Sequence, residues 1–479
     1  MMTGEASECR RGWVTVERMR TLDAGFYFVE HENVPMHIGT LAVFEGPAPA
    51  FAELAALYAA KLELVPRYRQ VVRTVPLRVF RPFWADDEDF DLGYHLRHSA
   101  VPPPGGPGEL MAMAARVLAQ KLDRARPLWE AWFLEGLAGG RWAIISKVHH
   151  CMVDGIGGSD LMAALFDTVP AAALPAPPSW RPAPGPSAAA VIAGGLADDV
   201  TAPIRQLARL PGVARERLGG PVQALSYGIG LARGARRLAA RSASCLNGPI
   251  GPHRRWAWTT ASLSEVKKIK NGLGGTVNDV VLAAITSGFR ELLAARGELR
   301  DGLVVRSLIP VSLRGPDDHG PTSNMLSAML ANLPAGEPDP VRRLEFLHDE
   351  MEDLKVTRQA AGPEILTELL GLAAPSVLAY GSRAAFRIPQ PLVQTVTTNV
   401  PGPRFPLYLL GRRMEEVYPY VPIGNRLQIG VAAFSYLEDV TFGITCEYRG
   451  VPESDLRVFI AGIARGISDL LAQTPRAER

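Results

Sequence analysis

His149-His150-Cys151-Met152-Val153-Asp154-Gly155 is the stretch on which the reading of this chain turns. Only nine histidines occur in 479 residues, yet two stand side by side here, with an aspartate four positions after the second and a glycine behind it. Just upstream, Trp142-Ala143-Ile144-Ile145-Ser146-Lys147-Val148 is a short apolar, β-branched run that suits a buried strand, so both histidines sit at a strand's C-terminal end. Downstream, Gly155, Gly157 and Gly158 precede Ser159-Asp160 and an apolar-periodic segment through Phe166, the pattern of a tight turn feeding an N-capped helix.

Such a place can hold one imidazole rigidly. Histidine is the side chain whose ordinary pKa lies nearest neutrality, so it can take a proton from a hydroxyl and return one to a leaving group. A helical 149–155 would put His150 and Asp154 on one face as metal ligands. The glycines argue for a loop and no third ligand lies nearby, so no metal is expected. Cys151 is not expected to act as nucleophile, because adjacent residues at a strand end point apart.

Length calls for more than one ordinary core. A net charge of +2 gives no case for nucleic acid as partner. Four scattered cysteines, with no CxxC pair, fit a reducing cytosol. No apolar run is long enough to span a bilayer, so a cytoplasmic protein, peripheral on the inner face of the membrane, is expected.

Strands are expected in the second half of 35–45, as a pair within 71–84, at 131–137, at 142–148, at 303–309, and as a hairpin of 427–434 with 440–448. Helices are expected at 51–64, 109–120, 262–270, 276–293 and 453–471, and in part at 364–386. The strand at 131–137 should lie antiparallel to the histidine strand across Ala138-Gly139-Gly140. Strands and helices mix without strict alternation, which points to an α/β architecture with mixed sheets. Between Pro170 and Pro186 the composition collapses to Ala and Pro, a linker. Residues 201–245 hold eight arginines against one glutamate at helical spacing, either a membrane-facing amphipathic segment or solvated arginines on packed helices. The expected organisation is therefore 1–169, 170–245 as linker and basic helical connection, and 246–479.

With Pro127-Leu128-Trp129, Asn278-Asp279, Pro310-Val311-Ser312-Leu313-Arg314 and Asn399-Val400-Pro401-Gly402-Pro403 lined up beside the histidine stretch, the chain resembles the bacterial wax ester synthase/diacylglycerol acyltransferase family. The resemblance runs from Leu22-Asp23-Ala24 and Met36-His37-Ile38-Gly39 through Leu246-Asn247-Gly248-Pro249-Ile250. It implies a chloramphenicol-acetyltransferase-like fold, two similar halves with a tunnel between them. It implies acyl-CoA as co-substrate with no cofactor, diacylglycerol or a fatty alcohol as acceptor, and a membrane or lipid-droplet surface as workplace. By the same resemblance His150 is the general base beside His149, and Asp154 a structural carboxylate. Condensation domains share HHxxxDG, but no DFGWG-like segment occurs; Thr397-Thr398-Asn399-Val400-Pro401-Gly402 takes its place.

A thioester is already activated, so the chemistry needs a base and a donor for the developing oxyanion. Asn278 is either that donor or an ordinary helix N-cap. Gly155, Asp279 and Asn399 are assigned to the substrate side, Asn399 being either a turn residue or part of the tunnel wall. Pro127 and Trp129 are expected to pack against the histidine strand, and Arg314 to pair with Asp154. Two rivals remain: a transferase of the same fold with another alcohol or an amine as acceptor, and a non-catalytic lipid-binding protein.

Overall fold

The computed structural model describes residues 16–76, 80–152, 164–170, 180–196, 240–312, 326–361, 392–424 and 426–475. Asp154, Gly155, Arg314, most of the arginine-rich stretch and 364–386 lie outside them. The chain opens with α1 (Thr21–Val29), β1 (His37–Phe44), α2 (Phe51–Lys61), and the hairpin of β2 (Gln70–Arg73) with β3 (Phe83–Asp86). There follow α3 (Leu92–His95), β4 (Leu96–Ala100), α4 (Pro107–Ala119), β5 (Trp129–Glu135) and β6 (Trp142–His149). The later part holds β7 (Arg254–Ser262), α5 (Leu263–Leu273), α6 (Val277–Ala295), β8 (Val305–Ser312), β9 (Leu326–Leu333) and α7 (Pro340–Ala361). It closes with β10 (Thr395–Val400), β11 (Tyr408–Leu409), β12 (Arg412–Tyr420), β13 (Ile429–Tyr436), β14 (Asp439–Glu447) and α8 (Glu453–Gln473).

Two mixed six-stranded sheets result, ordered β11-β12-β1-β6-β5-β4 and β7-β14-β13-β10-β8-β9. β4 runs parallel to β5, and β10 parallel to both β8 and β13; the other pairs are antiparallel. The apolar run of β6 is explained by its place in the middle of the first sheet, where all eight residues are buried. Alternate residues serve different cores. Trp142, Ile144 and Val148 join the cluster of α1 and α2, while Ala143 and Ile145 join the cluster under α4. The turn from β5 to β6 passes through Gly139 and Gly140, both at positive φ, a conformation that glycine adopts without a Cβ penalty.

α4 begins at Pro107, with the Glu109 carboxylate accepting from Gly106 N–H at 3.0 Å, and buries Leu110, Ala114, Val117 and Leu118. Its last carbonyls, which no helical N–H can reach, are taken from the sheet: His37 Nε2 donates to Leu118 O at 2.7 Å and Lys147 Nζ to Gln120 O at 2.8 Å. In the second sheet Val440, Phe442, Ile444 and Cys446 face the helices. The other face turns toward β12, where Trp258 meets Tyr418 at 4.1 Å and Trp256 Nε1 donates to Pro419 O at 3.3 Å. At Gly443 the approach is so close that a Cβ would lie 1.8 Å from Pro419 O.

Sheet membership cuts across the chain order. β11 and β12, from the C-terminal part, complete the sheet that carries the histidines, β12 lying against β1 from Gly39↔Tyr420 to Phe44↔Met414.

Candidate active site

His149 is the last residue of β6; it pairs with His37 on β1, and its N–H donates to Leu128 O at 2.9 Å. Pro127-Leu128-Trp129 brackets the strand end. Trp129, opposite Val148, is fully buried, stacks on His95 at 4.7 Å, and donates its indole N–H to Tyr68 O at 2.7 Å. Past His149 the chain turns in one 3-10 turn, His150–Met152, anchored by His150 N–H donating to Met36 O at 2.8 Å.

α1, which the sequence reading left unassigned, forms the wall against both imidazoles. Phe26 stacks on the His150 ring, with centroids 3.9 Å apart and planes 22° from parallel. Tyr27 presents an edge to His149 at 6.2 Å. Glu30, the residue that ends the helix, is 3% exposed; its Oε1 accepts from Met36 N–H at 3.1 Å and its Oε2 lies 3.7 Å from His149 Nε2. Arg124 closes the arrangement from outside: its guanidinium lies 3.6 Å from the Tyr27 ring centroid, Nη2 donates to Tyr27 O at 2.8 Å, and Nε is 3.9 Å from Glu30 Oε2.

These contacts settle the protonation of the pair. Cys151 N–H donates to His149 Nδ1 at 3.1 Å, so that nitrogen is unprotonated and the ring proton sits on Nε2, facing the Glu30 carboxylate. Burial pushes the His149 imidazole down to about 3, helped by Arg124 and His150. Burial likewise pushes His150 down to about 4, offset in part by its own backbone carbonyl. Both rings are uncharged at neutral pH, and His150 Nδ1 is buried without a hydrogen-bond partner among the described residues. Burial raises the Glu30 carboxyl, against the Met36 N–H and Arg124, which lower it. Burial also pushes the Cys151 thiol well up, so the thiolate that a cysteine nucleophile requires is disfavoured.

A second polar group sits where α6 begins. Thr276 caps this helix, accepting from Asp279 N–H at 3.2 Å, while Asp279 Oδ2 accepts from Thr276 N–H at 2.8 Å. Asn278 is therefore not the N-cap but lies inside the first turn, and Asn399 Nδ2 donates to its Oδ1 at 3.1 Å. That bond occupies the Asn278 oxygen, and the other arm of the same amide is an NH₂ donor. Asn399 is a residue of β10, opposite Ala433, rather than of a turn. Asp279, 2% exposed, is held by the cap and by His348 Nδ1 at 3.0 Å.

A family model described as the wax ester synthase/diacylglycerol acyltransferase catalytic domain matches residues 19–281, and the corresponding C-terminal domain matches residues 322–459. Relatives named as diacylglycerol O-acyltransferases in Mycobacterium bovis and Mycobacterium tuberculosis are each 37% identical over 464 residues, covering 96% of this chain and 96% of theirs. The chain belongs to the wax ester synthase/diacylglycerol acyltransferase family. It is accordingly an acyltransferase. The wax ester synthase/diacylglycerol acyltransferase of Marinobacter aquaeolei VT8 has the same architecture, with a TM-score of 0.65 and 26% identity, over 95% of this chain and 98% of that one. The first condensation domain of the CDA synthetase shares the fold at 14% identity, with a TM-score of 0.56, over 97% of this chain and 98% of that one.

Within this member of the family the fold brings His149 and His150 together with Trp129 and Pro127, and Asn278 with Asn399. Phe26, Tyr27, Glu30, Arg124 and His348 were not read from the sequence, and Thr276 was read as the start of its helix but not as the cap. For Thr276 a signal was present, since Thr-Val-Asn-Asp places a carboxylate three residues after a hydroxyl just before an apolar run. For Glu30, an acidic residue straight after Phe26-Tyr27-Phe28-Val29 was the only trace.

Proposed function

We propose that the protein transfers a long-chain acyl group from CoA to the free hydroxyl of diacylglycerol, forming triacylglycerol, with fatty alcohols as slower acceptors. The observation that carries this reading is a half-buried, uncharged His150 imidazole stacked on Phe26 just past the end of β6, with its backbone N–H held by the Met36 carbonyl. Its ring nitrogen takes the acceptor's hydroxyl proton as the oxygen attacks the thioester carbonyl. The tetrahedral intermediate then collapses, the C–S bond breaks, and the proton passes to the departing sulfur to give free CoA. Asn278, whose oxygen is taken by Asn399, supplies an NH₂ donor suited to the oxyanion.

Chain-length preference belongs to apolar walls of the tunnel that the family resemblance implies, where each buried methylene favours longer acyl groups by about 0.8 kcal/mol. Among the described residues no helix is long and apolar enough to cross a membrane. The arginines between 205 and 241 are the proposed attachment to an anionic membrane or droplet surface, at about 1 kcal/mol each. Liposome co-sedimentation should fall with added salt and on replacing Arg233, Arg236 and Arg237 by glutamine. Product analysis from palmitoyl-CoA offered diacylglycerol, hexadecanol and a small amine tests the reaction. Triacylglycerol as main product supports it, and amide alone, or faster turnover with acetyl-CoA, refutes it.

A further inference from the structure

Glu30 is a buried carboxylate that the transfer chemistry above does not use. Besides the Arg124 guanidinium, its contacts lead to the two histidines. Its Oε1 accepts from Met36 N–H, and the carbonyl of that same Met36 accepts from His150 N–H, so one residue's peptide groups join the carboxylate to the backbone of the base. Its Oε2 faces the protonated Nε2 of His149, whose other nitrogen is tied to Cys151 N–H inside the turn that carries His150. The carboxylate also ends α1, the helix that presents Phe26 to the His150 ring.

We propose that Glu30 is a positioning residue for the acyl-transfer base, acting on His150 along two routes, the Met36 peptide and the His149 ring. This rests on the reading of His150 as base. The charges around the carboxylate are Arg124, on the stretch before β5, Lys147 on β6 and Lys121 beyond α4, with His149 itself uncharged. A negative charge so surrounded is offset in the interior and, at 3.7 Å from Nε2 and without a hydrogen bond to it, favours the His149 proton there by charge alone. A base displaced by as little as about 1 Å can lose about a hundredfold in rate, which is the scale of effect to be expected when the prop is removed.

The test is steady-state kinetics on Glu30→Gln, which keeps an oxygen for Met36 N–H but removes the charge facing His149. The expected result is kcat lowered by about tenfold to a hundredfold, KM for acyl-CoA and acceptor within about threefold of wild type, and the thermal midpoint largely retained. Adding His149→Ala to Glu30→Gln should slow the enzyme less than the product of the two separate effects, because part of each runs through the other. Side-chain ¹⁵N spectra of histidine-labelled protein, with the His149 signal assigned by its loss in His149→Ala, should show that ring in the Nε2–H form in wild type and a mixture in Glu30→Gln. Should Glu30→Gln fail to fold, Glu30→Asp keeps the charge but withdraws it by one methylene, and the same loss of kcat at unchanged KM is expected. Wild-type kcat in either folded variant, or fully multiplicative effects in the double variant, would overturn the proposal. A folded His150→Ala enzyme that still turns over would instead remove the base, a failure distinct from that of Glu30.

Discussion

An imidazole can accept a proton only while it is uncharged, and the burial that fixes His150 also keeps it so. The acid limb of kcat/KM should therefore lie near 4, not at the ordinary value of 6.5. Assays from pH 7 down to 5.5 should find the rate nearly level, whereas a limb centred on 6.5 would contradict the assignment. The same burial acts on stability. In the unfolded chain both histidines titrate near 6.5, in the folded one near 3 and 4, so the unfolded state binds more protons across that window. Stability from these two groups is complete above about pH 6.5 and is lost as pH falls toward the folded values. Urea midpoints measured between pH 7 and 4.5 should drop, and drop less steeply in His149→Gln. His150→Ala should leave the fold intact and cost about 10²–10⁴-fold in rate, with His149→Ala costing less. The histidine pair was legible because two rare residues, a strand pattern and a glycine turn coincide within a dozen positions. Glu30 was not, because its partner His149 lies 119 residues later, at the end of β6, and only packing brings them together.

Elements show the same division. β6 was legible since a strand covered on both faces favours an unbroken apolar run, here Trp142 to Ile145, and α6 because Thr276 and Asp279 mark its start. α1 was missed: it has no side-chain cap and no basic residue in its last turn, and is held by Phe28, Tyr27 and Ala24 sinking into the core. Of the two readings left open for Asn278, the N-cap one falls two positions late for a related reason, as both it and Thr276 are good capping residues and only the structure chooses. The cap lends itself to measurement. Thr276→Ala should destabilise by about 1 kcal/mol and, by loosening the turn that holds Asn278 against Asn399, lower kcat as well. Asn278→Ala should lower kcat without the loss of thermal midpoint; equal losses of midpoint in the two variants would argue that Asn278 serves only the helix.

At the scale of the whole molecule, the pattern of elements pointed to mixed α/β sheets and the family resemblance implied two halves, but no local pattern could say that β12 belongs to the first sheet. Strand pairing between distant segments leaves no mark in either one. The contact between sheets depends on Gly443, and Gly443→Ala should destabilise by about 1–3 kcal/mol or more, since the methyl group would meet the Pro419 carbonyl. A thermal midpoint equal to wild type would mean that β14 and β12 can part without cost. Residues 1–245 expressed alone should fail to unfold cooperatively, as β1 would be left an open edge. The place of β12 also has a meaning in time. A ribosome adds about 5–20 residues per second, so tens of seconds separate the emergence of the histidine strand from that of the strand that seals its neighbour. Through that interval the nascent chain carries a bare sheet edge one strand away from its future base, and the cell must shield that edge until the chain is nearly finished.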